Sequence, residues 1–250
     1  MSAHRENSRA IFVSFSGIDG AGKSTQIEAL TTRLRREGLR VRVIRFWDEV
    51  AQLTRIRESS GHVLFKGDKG IGTPSAPINR RDKNVQTRYM TLVRLFLYLL
   101  DGVSVRVVAK KASRSGDDVV IFDRYTYDEL ANLNIRHPAI RAYARLVMAF
   151  VPRPDISYFL DAEPLETRAR KPEYPLEFLH RNRKAYLDLV DLVGGINVIA
   201  PMPIQDVQRR ITEHALTVLS TAGAERPLQG GYRSRSVFSG FLLRLYGKRS

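Results

Sequence analysis

Gly17, Gly20, Gly22, Lys23 and Ser24 follow the apolar run Ile11-Phe12-Val13, in the spacing Gly-x-x-x-x-Gly-Lys-Ser that starts at Gly17. With a β-branched and aromatic strand before it and a helical pattern after it, that spacing is the P-loop signature. Glycines lack Cβ atoms, so the backbone can take left-handed angles and turn successive N–H groups inward around a phosphate. The helix expected from about residue 23 to residue 36 then presents unpaired N–H groups and the positive end of its dipole to an anion. Lys23 adds a point charge over the β- and γ-phosphates, and the Ser24 hydroxyl is placed to ligate Mg²⁺. The alternative is a glycine-rich β–α turn that binds nothing; a Lys-Ser pair in register after a strand weighs against it. A bound nucleoside triphosphate is the expectation.

Two further stretches carry candidate chemistry. In Val119 to Asn132, four apolar residues read as a buried strand with Asp123-Arg124 at its carboxyl end, where doubly wound sheets bind ligands. Asp123 there can orient Mg²⁺ and its waters, and Arg124 can bridge donor and acceptor phosphates; a buried charge pair kept for structure is the other reading. In Pro154 to Leu189, a helix carrying Arg168 and Arg170 runs through a proline-bounded turn into a second helix. Basic residues so placed over a phosphate can form a lid that excludes water and neutralises the transferring group, or can simply be a solvated helix face.

The elements that must position these groups alternate between β-rich apolar runs and helical patterns, the mark of a parallel sheet built from βαβ units. Strands are expected at 11–16, 39–46, 119–123, 156–161 and 196–199, and helices at about 23–36, 85–111, 126–133, 138–150, 163–170, 176–192 and 204–220. The class expected is α/β. Residues 59–84, rich in glycine, proline and basic side chains, read as a long loop. The 250-residue length suits one core, with a P-loop domain at 1–222, a lid at about 168–176, and a basic, partly apolar tail at 223–250.

Composition sets bounds on partners. With no cysteine the chain has neither disulfides nor thiolate metal sites, which suits a reducing compartment, and a cytoplasmic location is expected. The first ten residues are charged and carry no apolar stretch, unlike a signal peptide, and no apolar run reaches the ~18 residues a membrane span needs. The net charge of +15 favours anionic partners. The tail holds six Lys or Arg against one Glu, so it supplies a third of that charge. Its apolar residues Val237, Phe238, Phe241, Leu242, Leu243 and Leu245 among cations could lie on an anionic membrane or pack on the chain's own domain. Nucleic acid is not expected, because the basic residues lack spaced aromatics.

Taken together, Gly17-Ile18-Asp19-Gly20-Ala21-Gly22-Lys23-Ser24-Thr25-Gln26, Asp123-Arg124-Tyr125, Pro154-Asp155-Ile156 through Leu160-Asp161, Arg170, and Phe178, Arg181 and Tyr186 resemble the motifs of the thymidylate kinase family over residues 10 to 220. The resemblance implies a three-layer P-loop fold with a central five-stranded parallel sheet and a helical lid. It also implies ATP as donor, Mg²⁺ as cofactor, a nucleoside monophosphate as acceptor, and a homodimer. It assigns donor binding to Gly17, Asp19, Gly20, Ala21, Gly22, Lys23, Ser24 and Thr25, and metal binding to Ser24 and Asp123. Catalytic roles fall to Lys23, Arg124, Asp19 and Arg170. Acceptor binding falls to Arg45, Asp48, Asp123, Arg124 and Tyr125. Three segments depart from the family pattern: Arg45-Phe46-Trp47-Asp48-Glu49, Leu99-Leu100-Asp101-Gly102, and Tyr127 to Asn132. All three belong to the acceptor side of that pattern, which implies retained donor chemistry and rebuilt acceptor recognition. A kinase for a nucleoside or a phosphorylated sugar, or a nucleotide-binding switch protein without transfer activity, stand as the other readings.

Overall fold

A computed structural model describes residues 9–50 and 88–224. Five strands, β1 (Ile11–Ser16), β2 (Val41–Arg45), β3 (Val119–Asp123), β4 (Ile156–Leu160) and β5 (Ile196–Ile199), form one parallel sheet in the order β2-β3-β1-β4-β5. The helices are α1 (Lys23–Arg36), α2 (Arg88–Ala112), α3 (Thr126–Leu130), α4 (Pro138–Phe150), α5 (Pro164–Arg170), α6 (Leu176–Val193) and α7 (Ile204–Ala224). All six residues of β1 and all five of β4 are buried, as strands covered on both faces must be. Phe12, Ile44, Phe122 and Val120 pack with α2, α3 and α4 on one face. Val13, Phe15, Ile121 and Tyr158 pack with α1 and α7 on the other. The architecture is the three-layer α/β P-loop fold expected.

Parallel register is what assembles the site. Phe15 pairs with Asp123, and Arg45 pairs with Asp123 from the other side, so the ends of β1, β2 and β3 lie level. The P-loop leaves β1 at the height where Arg124 leaves β3. Helix ends follow the glycines: α1 stops before Gly38 at φ 81°, and α6 stops before Gly194 and Gly195 at φ 67° and 71°.

Several bounds differ from expectation, most by one or two residues. β2 ends at Arg45 because Phe46–Val50 forms a single wide π turn, with Phe46 and Val50 buried and Asp48 and Glu49 exposed. α3 ends at Leu130, and α7 continues through Ala224. The expected loop at 59–84 and residues 225–250 of the tail lie outside the described residues.

Candidate nucleotide and phosphoryl-transfer site

The loop between β1 and α1 has the geometry its glycines require. Gly20 lies at φ 87°, and a Cβ built there would stand 2.8 Å from the Thr167 carbonyl oxygen of α5. At Gly17 a Cβ would stand 2.6 Å from the Leu160 carbonyl oxygen. Backbone approach is therefore close on both sides of the loop, and only glycine permits it. Gly22 at φ 85° caps α1, whose first turn presents Ser24 and Thr25 to solvent. Ala21 N–H donates to the Ile18 carbonyl at 3.2 Å, closing the turn. Lys23 is 6% exposed, and its ammonium donates to Gly17 O at 2.7 Å and Ile18 O at 2.9 Å. Burial, reinforced by the neighbouring Arg124 guanidinium, lowers this lysine to about 8.

Facing the loop is the turn after β3. Arg124 is the one described non-glycine residue with a left-handed backbone, at φ 71°. Such a conformation costs on the order of 1–3 kcal/mol and persists only where the surroundings impose it. Here the Arg124 N–H donates to Phe15 O at 3.0 Å, and both terminal guanidinium nitrogens meet carboxylates, Nη2 at Asp19 and Nη1 at Asp128 Oδ1 (3.4 Å). Burial works against the guanidinium charge, but Asp19 and Asp128 outweigh it and raise Arg124 above its ordinary value. Lys23, Asp19, Arg124, Asp128 and Asp123 thus form one cluster of interacting charges.

The remaining expected residues divide. Arg170 ends α5, exposed, with its Nε donating to Glu166 O at 3.3 Å, while Thr167 of the same helix rests on Gly20. Arg168 bonds the Tyr174 carbonyl and so holds the turn after α5. Arg45 is exposed at the end of β2, and Asp48 is exposed in the π turn. Tyr125 does not reach the site: it is 1% exposed, its hydroxyl donates to Pro152 O, and its ring meets Phe122 edge-on at 5.3 Å. Trp47 likewise packs against the core, edge-on to Phe46. Of the departing segment at 99–102, Leu99 is exposed, Asp101 is buried, and a Cβ on Gly102 would meet Val151.

Two groups outside the expected set belong to the same neighbourhood. Asp128 is buried and receives the Tyr186 hydroxyl (2.8 Å), Ser16 Oγ (2.6 Å) and the Tyr125 N–H (3.0 Å) as well as Arg124. Arg183 of α6 grips Asp161 with two bonds of 2.7 and 2.8 Å and Glu163 at 2.7 Å, tying α6 to the end of β4. Among the described residues, no cluster of three or more His, Asp or Glu side chains could cage a metal. A Ser24 hydroxyl and one Asp123 carboxylate suit an ion that keeps its waters and shares nucleotide oxygens.

Comparison with known proteins places this geometry. The family model described as Methylmalonyl Co-A mutase-associated GTPase MeaB matches residues 2–51, a fifth of the chain that holds the P-loop. Relatives match over far more. A probable thymidylate kinase of Thermococcus gammatolerans is 31% identical over 211 residues, 80% of this chain and 93% of the relative. The thymidylate kinase of Paracidovorax citrulli is 30% identical over 224 residues, covering 86% and 97%. A probable thymidylate kinase of Archaeoglobus fulgidus is 27% identical over 210 residues, covering 80% and 92%. Among solved structures, thymidylate kinase from Candida albicans superposes with a TM-score of 0.57 at 16% identity, covering 84% of this chain and 92% of that one; this likeness bears on the fold. With the P-loop, the Asp123-Arg124 turn and near-full-length relatives in agreement, the chain belongs to the thymidylate kinase family.

Proposed function

We propose that this protein transfers the γ-phosphoryl group of ATP to the phosphate of a nucleoside monophosphate. The observation that carries the reading is the placement of Lys23 and Arg124 in one buried charge cluster, on facing turns of a sheet whose strand ends lie level. In the reaction an acceptor phosphate oxygen attacks the γ-phosphorus, the bond to the β–γ bridging oxygen breaks, and the electron pair leaves with ADP. The backbone N–H groups from Gly17 to Thr25 would hold the donor phosphates. Lys23, now bonded to its own loop carbonyls, would turn to the β- and γ-oxygens, an exchange that its lowered affinity for a proton makes less costly. Arg124 would hold the acceptor phosphate against the donor, and Arg170 would reach the γ-phosphate from the lid at about residues 168–176. Asp19 would set the orientation of Arg124. Mg²⁺ held through Ser24 and Asp123 would neutralise charge developing on the β- and γ-oxygens. Most of the rate enhancement comes from positioning and charge, with no protein nucleophile.

A second copy is read onto α2. Leu92, Phe96, Leu99, Val103 and Val107 recur every three or four residues on one face of that helix, and each is 42–66% exposed. So long an apolar stripe suits a self-complementary two-fold contact. Phe96→Glu should convert a dimer to a monomer in sedimentation. The tail's suggested membrane contact lies outside the described residues; no described helix is long and apolar enough to cross a membrane.

The test of the transfer reading is direct. Purified protein, MgATP and a panel of nucleoside monophosphates should yield ADP and the matching diphosphate in equal amounts. ATP hydrolysis with no phosphorylated acceptor would remove it.

A further inference from the structure

We infer that Asp128 is a positioning residue that holds Arg124 in its acting orientation and ties that orientation to α6, the helix following the lid. The inference rests on the transfer reading, in which Arg124 meets the acceptor phosphate. Four donors from three parts of the fold converge on one carboxylate. Oδ2 takes Ser16 Oγ of β1 at 2.6 Å and the Tyr125 N–H at 3.0 Å; Oδ1 takes the Tyr186 hydroxyl of α6 at 2.8 Å and Arg124 Nη1 at 3.4 Å. Its side chain is 1% exposed, so solvent offers no alternative partner. A buried carboxylate is tolerated only where charge and hydrogen bonds satisfy it, and here Arg124 is the cation in contact with it.

The geometry says what that arrangement does. Arg124 sits at φ 71°, a backbone state that arginine does not adopt by preference, so something must hold it there. Its guanidinium has five N–H groups in a rigid fork. Asp19 takes one on Nη2 and Asp128 takes one on Nη1, which fixes the plane of the fork from both ends. The Nε–H and the second proton on each terminal nitrogen are then left for the oxygens of a phosphate, which can accept such donors in pairs. Tyr186 adds the link to the lid side: its hydroxyl lies 2.8 Å from Asp128 Oδ1 and 3.3 Å from Gly17 O of the P-loop. A displacement of α6 is therefore felt at the carboxylate that orients Arg124, and at the loop that holds the donor.

A residue that acts only through Arg124 should lose its effect when Arg124 is changed. The experiment measures kcat/KM for the best monophosphate acceptor, and KM for ATP, in wild type, Asp128→Asn, Arg124→Lys and the double variant. Asp128→Asn should cut acceptor kcat/KM about tenfold or more with the ATP KM within twofold of wild type, and should change it less than twofold in the Arg124→Lys background. Equal losses in both backgrounds, or no loss at all, would overturn the inference. If Asp128→Asn does not fold, Tyr186→Phe removes the opposite bond with little change of volume, and about a threefold acceptor-specific loss is expected; an unchanged acceptor kcat/KM would count against it. If wild type phosphorylates no monophosphate, the transfer reading fails by itself, and Asp128 is read from the Arg124 Nε–H resonance, assigned by its loss in Arg124→Lys. Asp128→Asn or Tyr186→Phe should shift or broaden that resonance, and an unmoved resonance would show that Asp128 does not position Arg124.

Discussion

The α-carbon of Gly20 faces the backbone carbonyl of Thr167 so closely that a methyl group there would lie 2.8 Å from the oxygen. This contact joins the P-loop to α5, the helix that ends in Arg170. The P-loop and α5 therefore share a surface. Gly20→Ala adds a clash with the Thr167 carbonyl to the cost of φ 87°, and that nearest atom belongs to the backbone of a helix and cannot swing aside. ATP affinity by calorimetry should fall tenfold or more, and urea denaturation should show a loss of about 1–3 kcal/mol. Gly38→Ala, with a similar φ and open space around it, should cost less and leave ATP affinity unchanged.

Lys23 supplies a rate test and a pH test. Lys23→Met should lower transfer by ~10²-fold or more with the fold intact, because its contact strengthens as charge gathers on the γ-oxygens. Burial, with the Arg124 guanidinium beside it, lowers the lysine from 10.5 to about 8. Below pH 8 both folded and unfolded states carry the proton, and the cost of burying the charge is present in full. Between about 8 and 10.5 the unfolded state binds more protons than the folded one, so stability rises with pH through that window. Wild type should gain on the order of 3 kcal/mol relative to Lys23→Met across it. Parallel stability curves for the two proteins from pH 7.5 to 10.5 would count against the buried charge.

Arg124 stands between two carboxylates, Asp19 and Asp128. Arg124→Ala should raise the acceptor KM or abolish turnover while ATP affinity, read by calorimetry, changes less than about threefold. A large loss of ATP binding would place the guanidinium on the donor phosphates instead.

Much of the fold was legible because the parallel sheet writes itself as apolar runs: IFVSFS and ISYFL are buried along their whole length, and VVIFD is buried up to its final Asp123. The P-loop was legible because its glycines and Lys-Ser are adjacent in sequence. What stayed hidden depends on contacts between distant residues. Asp128 reads as an ordinary acid in the first turn of a helix, and its function appears only when Tyr186, 58 residues later, closes on it. Arg183 looks like one of several cations on α6 until Asp161 is found beside it. Tyr125 was expected at the acceptor because it adjoins Arg124, but the left-handed turn at Arg124 precedes a side chain that packs inward on Phe122. The π turn at Phe46–Val50 has no local signal; it follows from burying Phe46 and Val50 while Asp48 and Glu49 stay in water.

Acceptor selectivity follows from the departing segments. In those segments Trp47 packs against the core, edge-on to Phe46, and Gly102 lies against Val151. A site whose buried polar groups do not match a base discriminates strongly against that base. Thymidylate should be used with kcat/KM at least ~10²-fold below that of the best monophosphate acceptor. Equal or better use of thymidylate in a competition assay would show that other residues supply those bonds.

The most direct measurement of the central claim follows the phosphoryl group itself. Protein, Mg²⁺, ATP and a panel of nucleoside monophosphates are monitored by phosphorus NMR, with Lys23→Met and Arg124→Ala in parallel. Transfer to a monophosphate predicts a new pair of diphosphate resonances growing in step with ADP in wild type and at least ~10²-fold more slowly in both variants. Inorganic phosphate as the sole product, or unchanged rates in the two variants, would contradict it.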